Sequence, residues 1–148
     1  MIENERKFLC WFLPKSAEHL EDHLQFYIYR SKNSEVRVRI VSKEKNKHAE
    51  ITFKYDISDK KRLEYTKIIP LLVANLLKLK NNKIIKKRRY IYHNEGFRWE
   101  IDKFINSKEL IIAELENQDS RNLSMPSFIK YEVTNNKRYR NRNIFKLL

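Results

Sequence analysis

Glycine is nearly absent from this sequence, since Gly96 is the only glycine among 148 residues. A phosphate-binding P-loop, a dinucleotide-binding fingerprint and a glycine-flanked nucleophile elbow each need several glycines. The sequence therefore excludes all three. Any phosphate group that this chain binds must be held by side chains rather than by a glycine-rich loop.

Cysteine is just as scarce, and long apolar runs are missing. Cys10 has no partner for an internal disulfide, so we expect a reducing, cytoplasmic environment. Residues 1–5 are polar and acidic, which predicts that no signal peptide is present. The longest apolar stretch, over 68–79, is interrupted by Pro70 and Lys78 and is too short for a membrane span. We therefore expect no membrane association.

Zinc ligands are few, with one cysteine and four scattered histidines. His19 and His23 have the i, i+4 spacing of two ligands on a helix, but no third ligand is apparent. A surface helix is therefore a better interpretation of this pair than a zinc site.

Acidic residues are outnumbered, because 32 Lys and Arg against 19 Asp and Glu give a net charge of +13. Such a charge predicts an anionic partner without identifying it. The basic runs at 86–89 and 137–140 fit an RNA surface and also fit an ordinary solvated surface. Charge alone leaves nucleic acid as the first candidate.

Alternation of apolar and polar residues over short runs predicts a mainly β protein of the α+β class, folded as one domain over residues 1–148. Helices are predicted over 14–23, over 70–79 and after Asn136, and Pro70 suits a helix start. The eight predicted strands cover 3–7, 24–30, 35–40, 50–55, 62–66, 84–92, 97–102 and 110–116.

Charged residues of both signs recur two positions apart on the polar faces of these strands. One interpretation is an open sheet with a charged outer surface. The other is a closed barrel whose charges line the interior, since eight strands enclose room for about one small ligand. Composition and alternation leave the two interpretations open.

A series of short motifs runs in order along nearly the whole chain. It opens with Glu3-Asn4-Glu5-Arg6-Lys7, an ExExK pattern, and closes with Glu132-Val133-Thr134 followed by Arg138-Tyr139. The motifs between them are Gln25-Phe26-Tyr27, Val36-Arg37-Val38-Arg39, Thr52-Phe53-Lys54, Arg62-Leu63-Glu64, Lys87-Arg88-Arg89, Glu100-Ile101-Asp102 and Glu114-Leu115-Glu116. The series resembles the CYTH domain of the triphosphate tunnel metalloenzymes, and in particular their short bacterial, inorganic-triphosphatase-like branch.

This resemblance implies an eight-stranded closed antiparallel β-barrel with flanking helices, its apolar face turned outward under the helices. It also implies metal-dependent hydrolysis of inorganic triphosphate, or of a related triphosphate, to pyrophosphate and phosphate. We expect a monomer or a homodimer acting on a small molecule, with nucleic acid an unexpected partner.

The resemblance assigns roles to individual residues. Carboxylates crowded into one cavity repel each other and need hard cations, so Mg²⁺ or Mn²⁺ is the expected cofactor. The implied metal ligands are Glu3, Glu5, Glu64, Asp102, Glu114 and Glu116. The implied substrate-binding residues are Lys7, Arg37, Arg39, Lys54, Arg62, Lys87 and Arg89, of which Lys54 and Lys87 are also the catalytic candidates. Each of these arginines has the alternative interpretation of a cross-strand ion pair.

Three alternatives stay open. They are a class IV-type adenylate cyclase on the same fold, a non-catalytic binder of polyphosphate or nucleotide, and an RNA-binding protein with a purely structural interior.

One position departs from the family pattern. Relatives commonly carry a second glutamate two residues after Arg62-x-Glu64, where this chain has Thr66. Because metal affinity depends on the number of charged ligands, we expect a weaker second metal site. Thr66→Glu is then expected to raise activity at low metal concentration without changing triphosphate affinity.

Overall fold

The computed structural model of the chain describes residues 2–59, 61–107 and 109–148, except for the side chain of Glu3. Most described residues are in strands, joined by short turns. The strands are β1 (Ile2–Glu3), β2 (Glu5–Cys10), β3 (Glu18–Arg30), β4 (Ser34–Lys43), β5 (Asn46–Asp56), β6 (Arg62–Ile69), β7 (Ile85–Asn94), β8 (Phe97–Phe104), β9 (Ile111–Glu116) and β10 (Ile129–Glu132). The helices are α1 (Leu71–Leu79), α2 (Asn141–Ile144) and 3₁₀ turns at Lys137–Tyr139 and Phe145–Leu147.

The chain divides into two compact units. Unit 1 comprises Met1–Glu3 and Glu21–Lys86, and unit 2 comprises Asn4–Leu20 and Lys87–Leu148. The single domain expected over 1–148 stays a prediction, and each unit is described by itself. No helix within the described ranges is long and apolar enough to cross a membrane.

Unit 1 is an antiparallel sheet in the order β1-β6-β5-β4-β3. Alternation along its strands turns Phe26, Val38, Ile40 and Ala49 to one face, where they pack with Ala74 of α1. Burial of this apolar face holds α1 against β4 and β5. The other face of the sheet is left to polar and charged side chains.

Unit 2 is a second antiparallel sheet, in the order β7-β8-β9-β2-β10. Its core is built on Trp99, whose ring makes edge contacts with Phe8 at 5.4 Å and with Phe128 at 5.6 Å between centroids. Cys10 lies in the same cluster, and burial raises the pKa of its thiol to about 12. This cysteine is therefore an inert core residue at neutral pH.

The structure confirms the mainly β, antiparallel prediction and the helix at 70–79. It shows the helix predicted over 14–23 to be wrong, because β3 begins at Glu18 and continues to Arg30. Leu20 and Leu24 have helical spacing, but pairing with β4 overrides this local pattern, as in the register of His23 with Val41. A strand rises about 3.3 Å per residue, so i and i+4 histidines cannot share one ion.

The apolar side chains expected under helices are only partly covered. Phe53, Leu63 and Tyr65 are 46%, 42% and 56% exposed, so the expectation of a helical cover is wrong for them. With nine residues, α1 is too short to reach the whole apolar face of unit 1. Trp99 is fully buried in the aromatic core of unit 2.

Removing the central aromatic ring of unit 2 should be costly. We expect Trp99→Ala to lower the free energy of unfolding by about 3–5 kcal/mol, because it leaves a cavity between Phe8 and Phe128. Urea unfolding followed by far-ultraviolet circular dichroism measures the change. The matched control is Trp11→Ala at a 63% exposed tryptophan, which should cost less than about 1 kcal/mol. Equal losses in the two variants would contradict this view of the core.

Candidate functional site

Unit 1 buries several cations on the polar face of its sheet. Arg37, Arg39 and Lys54 are 4%, 8% and 9% exposed. Strand register places Arg37 opposite Thr52 and Arg39 opposite Glu50. A buried charge is unfavourable unless it is paired or hydrogen-bonded, so each cation has to be explained by what surrounds it.

Arg39 and Lys54 are held by polar neighbours on adjacent strands. Arg39 donates from Nε and Nη2 to Gln25 Oε1 at 3.1 and 3.0 Å, and its Nη1 lies 3.8 Å from Glu50. Lys54 Nζ lies 3.5 Å from a carboxylate oxygen of Glu64. Polar groups of neighbouring strands therefore lie within interaction distance of both cations.

Arg62 lies within ion-pair distance of two carboxylates. Its guanidinium lies 3.1 Å from Glu35 and 2.9 Å from Asp56. Two acids on one arginine favour the interpretation of Arg62 as a cross-strand ion pair over its role as a phosphate ligand. The substrate-binding role predicted for Arg62 stays a prediction with less support than the others.

Arg37 differs from these three. Its Nη2 donates to Thr52 Oγ1 at 3.3 Å, and its buried Nε has no hydrogen-bond partner. Within the part of the chain that the structure describes, no carboxylate lies within ion-pair distance of this guanidinium. Guanidinium groups bind phosphate oxygens well, so this environment suits the substrate-binding role of Arg37, which stays a prediction.

Unit 2 carries a cluster of carboxylates. Oxygen atoms of Glu5, Glu114 and Glu116 all lie within 4.8 Å of one another. The β2–β9 register produces the cluster, since Glu5 faces Glu116 and Lys7 faces Glu114. Lys7 Nζ lies 3.3 Å from Glu5 and 3.4 Å from Glu114, so one ammonium group offsets part of the charge.

The remaining repulsion is visible in the pKa of Glu116, whose side chain still reaches solvent. Burial and the negative charges of Glu114, Glu100 and Glu5 raise this pKa to about 7, against the lowering effect of Arg89. Among the described residues, the neighbouring carboxylates thus raise the pKa of Glu116 more than Arg89 lowers it. A hard divalent cation with oxygen ligands fits this donor set.

A second charged group surrounds Asp102. This carboxylate accepts from Lys87 Nζ at 2.6 Å and from Arg89 Nε and Nη2 at 2.8 and 2.9 Å. Glu100 lies 2.7 Å from Arg89 Nη1. Burial alone would lower the pKa of Arg89, but the nearby charges of Asp102, Glu100 and Glu114 hold it well above its usual value.

These contacts give Asp102 a clear local function. Its two oxygens are occupied by the side chains of Lys87 and Arg89, which it holds side by side. The geometry favours this positioning role over direct metal binding, and the predicted metal role of Asp102 stays a prediction.

The predicted site residues are distributed over both units. Unit 1 contains Arg37, Arg39, Lys54, Arg62 and Glu64. Unit 2 contains Glu5, Lys7, Lys87, Arg89, Asp102, Glu114 and Glu116. Glu3 pairs through its backbone with Arg62, but its side chain lies outside the described residues, so its metal role is untested.

Sequence reasoning missed several polar residues that organise these groups. Glu100 precedes Asp102 by two positions, and Glu35 precedes Arg37 by two, so the alternation itself could have indicated both. Gln25 is fully buried, and only its strand pairing with Arg39 reveals what it does.

No family model matches the chain, but comparison with individual known proteins identifies a relative. The chain is 39% identical over 126 residues to an inorganic triphosphatase of Acetivibrio thermocellus, covering 82% of this chain and 78% of that protein. The chain belongs to the triphosphate tunnel metalloenzyme family.

Solved structures support this membership. The inorganic triphosphatase NE1496 superposes with a TM-score of 0.69 and 25% identity, covering 96% of this chain and 93% of its own. HpAC1 from Hippeastrum, which has a dominant triphosphatase activity, gives a TM-score of 0.52 at 16% identity over 81% of each chain. The Hippeastrum likeness shows the fold alone.

The raised pKa of Glu116 predicts how the metal-free protein responds to pH. Between the ordinary pKa of 4.5 and about 7, the folded protein holds a proton that the unfolded chain releases. The free energy of unfolding should therefore fall as pH rises through this window. Thermal unfolding in EDTA should show a shallower decline for Glu116→Gln than for the wild type.

Glu132 provides the control, because its pKa is lowered whereas the pKa of Glu116 is raised. A hydrogen bond from Arg6 is the main cause that lowers the pKa of its carboxyl, so Glu132→Gln should lose stability at neutral pH. Parallel pH profiles for the wild type and Glu116→Gln would contradict the account of the acidic cluster.

Proposed function

We propose that this protein is a metal-dependent inorganic triphosphatase, which hydrolyses triphosphate to pyrophosphate and phosphate. The observation that carries the proposal is the under-compensated carboxylate cluster of Glu5, Glu114 and Glu116, in a chain 39% identical to an inorganic triphosphatase. The substrate carries about four to five negative charges near neutral pH, which suits the net charge of +13.

The carboxylate cluster is the proposed site for Mg²⁺ or Mn²⁺. Its ligands are Glu5, Glu114 and Glu116, with Glu3 and Glu64 as further candidates by family resemblance. A divalent ion held by these carboxylates would offset phosphate charge and would lower the pKa of a bound water. Lys7 adjoins two of these carboxylates, so it is suited to contact a phosphate oxygen beside the ion.

The buried cations are the proposed ligands of the triphosphate chain. Arg37 and Arg39 present guanidinium groups, which bind phosphate oxygens in pairs, and Lys54 and Lys87 act as point charges. Because these groups are already desolvated and fixed by their neighbours, they stabilise developing charge on the leaving oxygen with little reorganisation.

Lys87 has a more specific proposed role. Its ammonium group is fully buried and donates to Asp102 at 2.6 Å, which fixes its position. Its role in the proposal is to orient the reacting phosphate and the attacking water. We propose the same role for Lys54, whose Nζ lies 3.5 Å from Glu64, farther than Lys87 Nζ lies from Asp102.

The finer architecture belongs to the same proposal. We propose that the strands form the closed, eight-stranded tunnel that gives the family its name. The support is the family membership and the fact that in each unit the charged residues share one face of an antiparallel sheet. A small-molecule substrate, a reducing cytoplasm and a monomer or homodimer are parts of the proposal.

Metal dependence is the first consequence. EDTA should abolish triphosphate hydrolysis, and Mg²⁺ or Mn²⁺ should restore it. Glu5→Gln and Glu114→Gln should each lower kcat by about 100-fold or more, as expected when a charge-stabilising group is lost. Phosphate release over a metal titration measures the effect. Glu109→Gln, at an exposed glutamate outside the cluster, is the control. Full activity of Glu5→Gln and Glu114→Gln would rule out the cluster as the metal site.

Substrate preference distinguishes a triphosphatase from an adenylate cyclase and from an RNA-binding protein. We expect inorganic triphosphate to be cleaved much faster than ATP, because all the predicted ligands recognise phosphate and none recognises adenine. A panel scoring phosphate, pyrophosphate and cyclic AMP decides between the reactions. Cyclic AMP as the main product would replace the proposal with an adenylate cyclase. A salt-dependent shift of RNA without triphosphate cleavage would indicate an RNA-binding protein.

A further inference from the structure

A row of hydroxyl groups lies beside Arg37 on the polar face of unit 1. Strand register aligns Arg37 of β4 with Thr52 of β5, and Thr52 with Thr66 of β6. Arg37 Nη2 donates to Thr52 Oγ1 at 3.3 Å, and Thr52 Oγ1 lies 2.9 Å from Thr66 Oγ1. Since Thr52 accepts from the arginine, its own hydrogen is available for Thr66.

This row supplies hydrogen bonds without supplying charge. The equivalent places beside Lys54 and Arg62 are taken by carboxylates, Glu64 on the first and Glu35 with Asp56 on the second. Thr52 is fully buried, so its hydroxyl is a fixed part of the site rather than a solvated side chain. Arg37 is thus oriented by a neutral neighbour.

We propose that Thr52 and Thr66 form a positioning pair that orients Arg37 and leaves its positive charge free for a phosphate group of the substrate. Thr52 contacts the guanidinium directly, and Thr66 acts through Thr52. This inference rests on the proposed triphosphatase function. Under it, Thr52 and Thr66 determine how tightly Arg37 binds triphosphate. Thr52 contacts Arg37, Thr66 contacts Thr52, and neither threonine needs to touch the substrate.

The proposal changes what a carboxylate at position 66 should do. A glutamate at position 66 would extend from β6 toward Arg37 on β4. Thr52, on the intervening strand β5, is the residue that lies between them in the register. The negative charge of this glutamate would pair with the guanidinium and compete with phosphate for it. We therefore expect Thr66→Glu to weaken the binding of triphosphate. The family pattern alone predicts instead that Thr66→Glu strengthens metal binding and leaves triphosphate affinity unchanged.

Direct binding tests this separately from catalysis. Calorimetric titration of the intact protein with inorganic triphosphate in EDTA measures Kd without turnover. Thr66→Glu should raise Kd at least tenfold, because an ion pair replaces a free charge. Thr66→Gln, similar in shape but neutral, should change Kd by less than about threefold. Thr52→Val should raise Kd about fivefold, and Thr52→Ser should restore it to within about twofold.

Kinetics supply the second measurement, under saturating Mg²⁺. Thr66→Glu and Thr52→Val should raise KM for triphosphate and should change kcat by less than about threefold. The melting temperature of each variant checks that it is folded. Equal Kd values for Thr66→Glu and Thr66→Gln would overturn the proposal. So would higher activity of Thr66→Glu at sub-millimolar metal with unchanged triphosphate affinity. Tight binding of triphosphate without its hydrolysis would reject the proposed function while leaving the role of the pair intact.

Discussion

The compensation of buried charge is the constraint on which the rest of this structure depends. Each sheet packs its apolar face into a core and leaves charged side chains on the other face, several of them almost fully removed from solvent. Such charges are tolerated only when they are paired, hydrogen-bonded or matched by a ligand. Asp102 is paired with Lys87 and Arg89, whereas among the described residues Arg37 has no carboxylate within ion-pair distance, and burial together with neighbouring carboxylates raises the pKa of Glu116 to about 7.

Two charged groups of opposite sign stand out among the described residues, the carboxylates around Glu116 in unit 2 and the guanidinium of Arg37 in unit 1. Carboxylates around Glu116 repel each other and gain from a divalent cation. The guanidinium of Arg37 gains from an anion. Under the proposed function, a divalent cation is the partner of the carboxylates and a phosphate group is the partner of Arg37. Membership in the triphosphate tunnel metalloenzyme family agrees with this reasoning.

Much of the fold and of the site could be predicted from the sequence because a strand alternates with a strict period of two. That period correctly grouped Lys7 with Glu5, and Arg37 with Arg39, on single faces of strands. It could not indicate which strands pair, so Gln25, Thr52 and Glu35 were missed as the partners of buried arginines. The same limit explains the wrong helix over 14–23, since the i, i+4 spacing of His19 and His23 did not reveal the pairing of β3 with β4. Periodicity specifies the face of a residue, and register specifies its partner.

The central claim is that charges left uncompensated by the protein are compensated by a metal–triphosphate complex. A crystal structure with Mn²⁺ and a non-hydrolysable triphosphate analogue tests it most directly, because anomalous scattering locates manganese independently of the protein. The account predicts a manganese peak among the oxygens of Glu5, Glu114 and Glu116, and phosphate oxygens on the guanidinium of Arg37. Manganese bound elsewhere, or an analogue that leaves Arg37 without an anion, would contradict it.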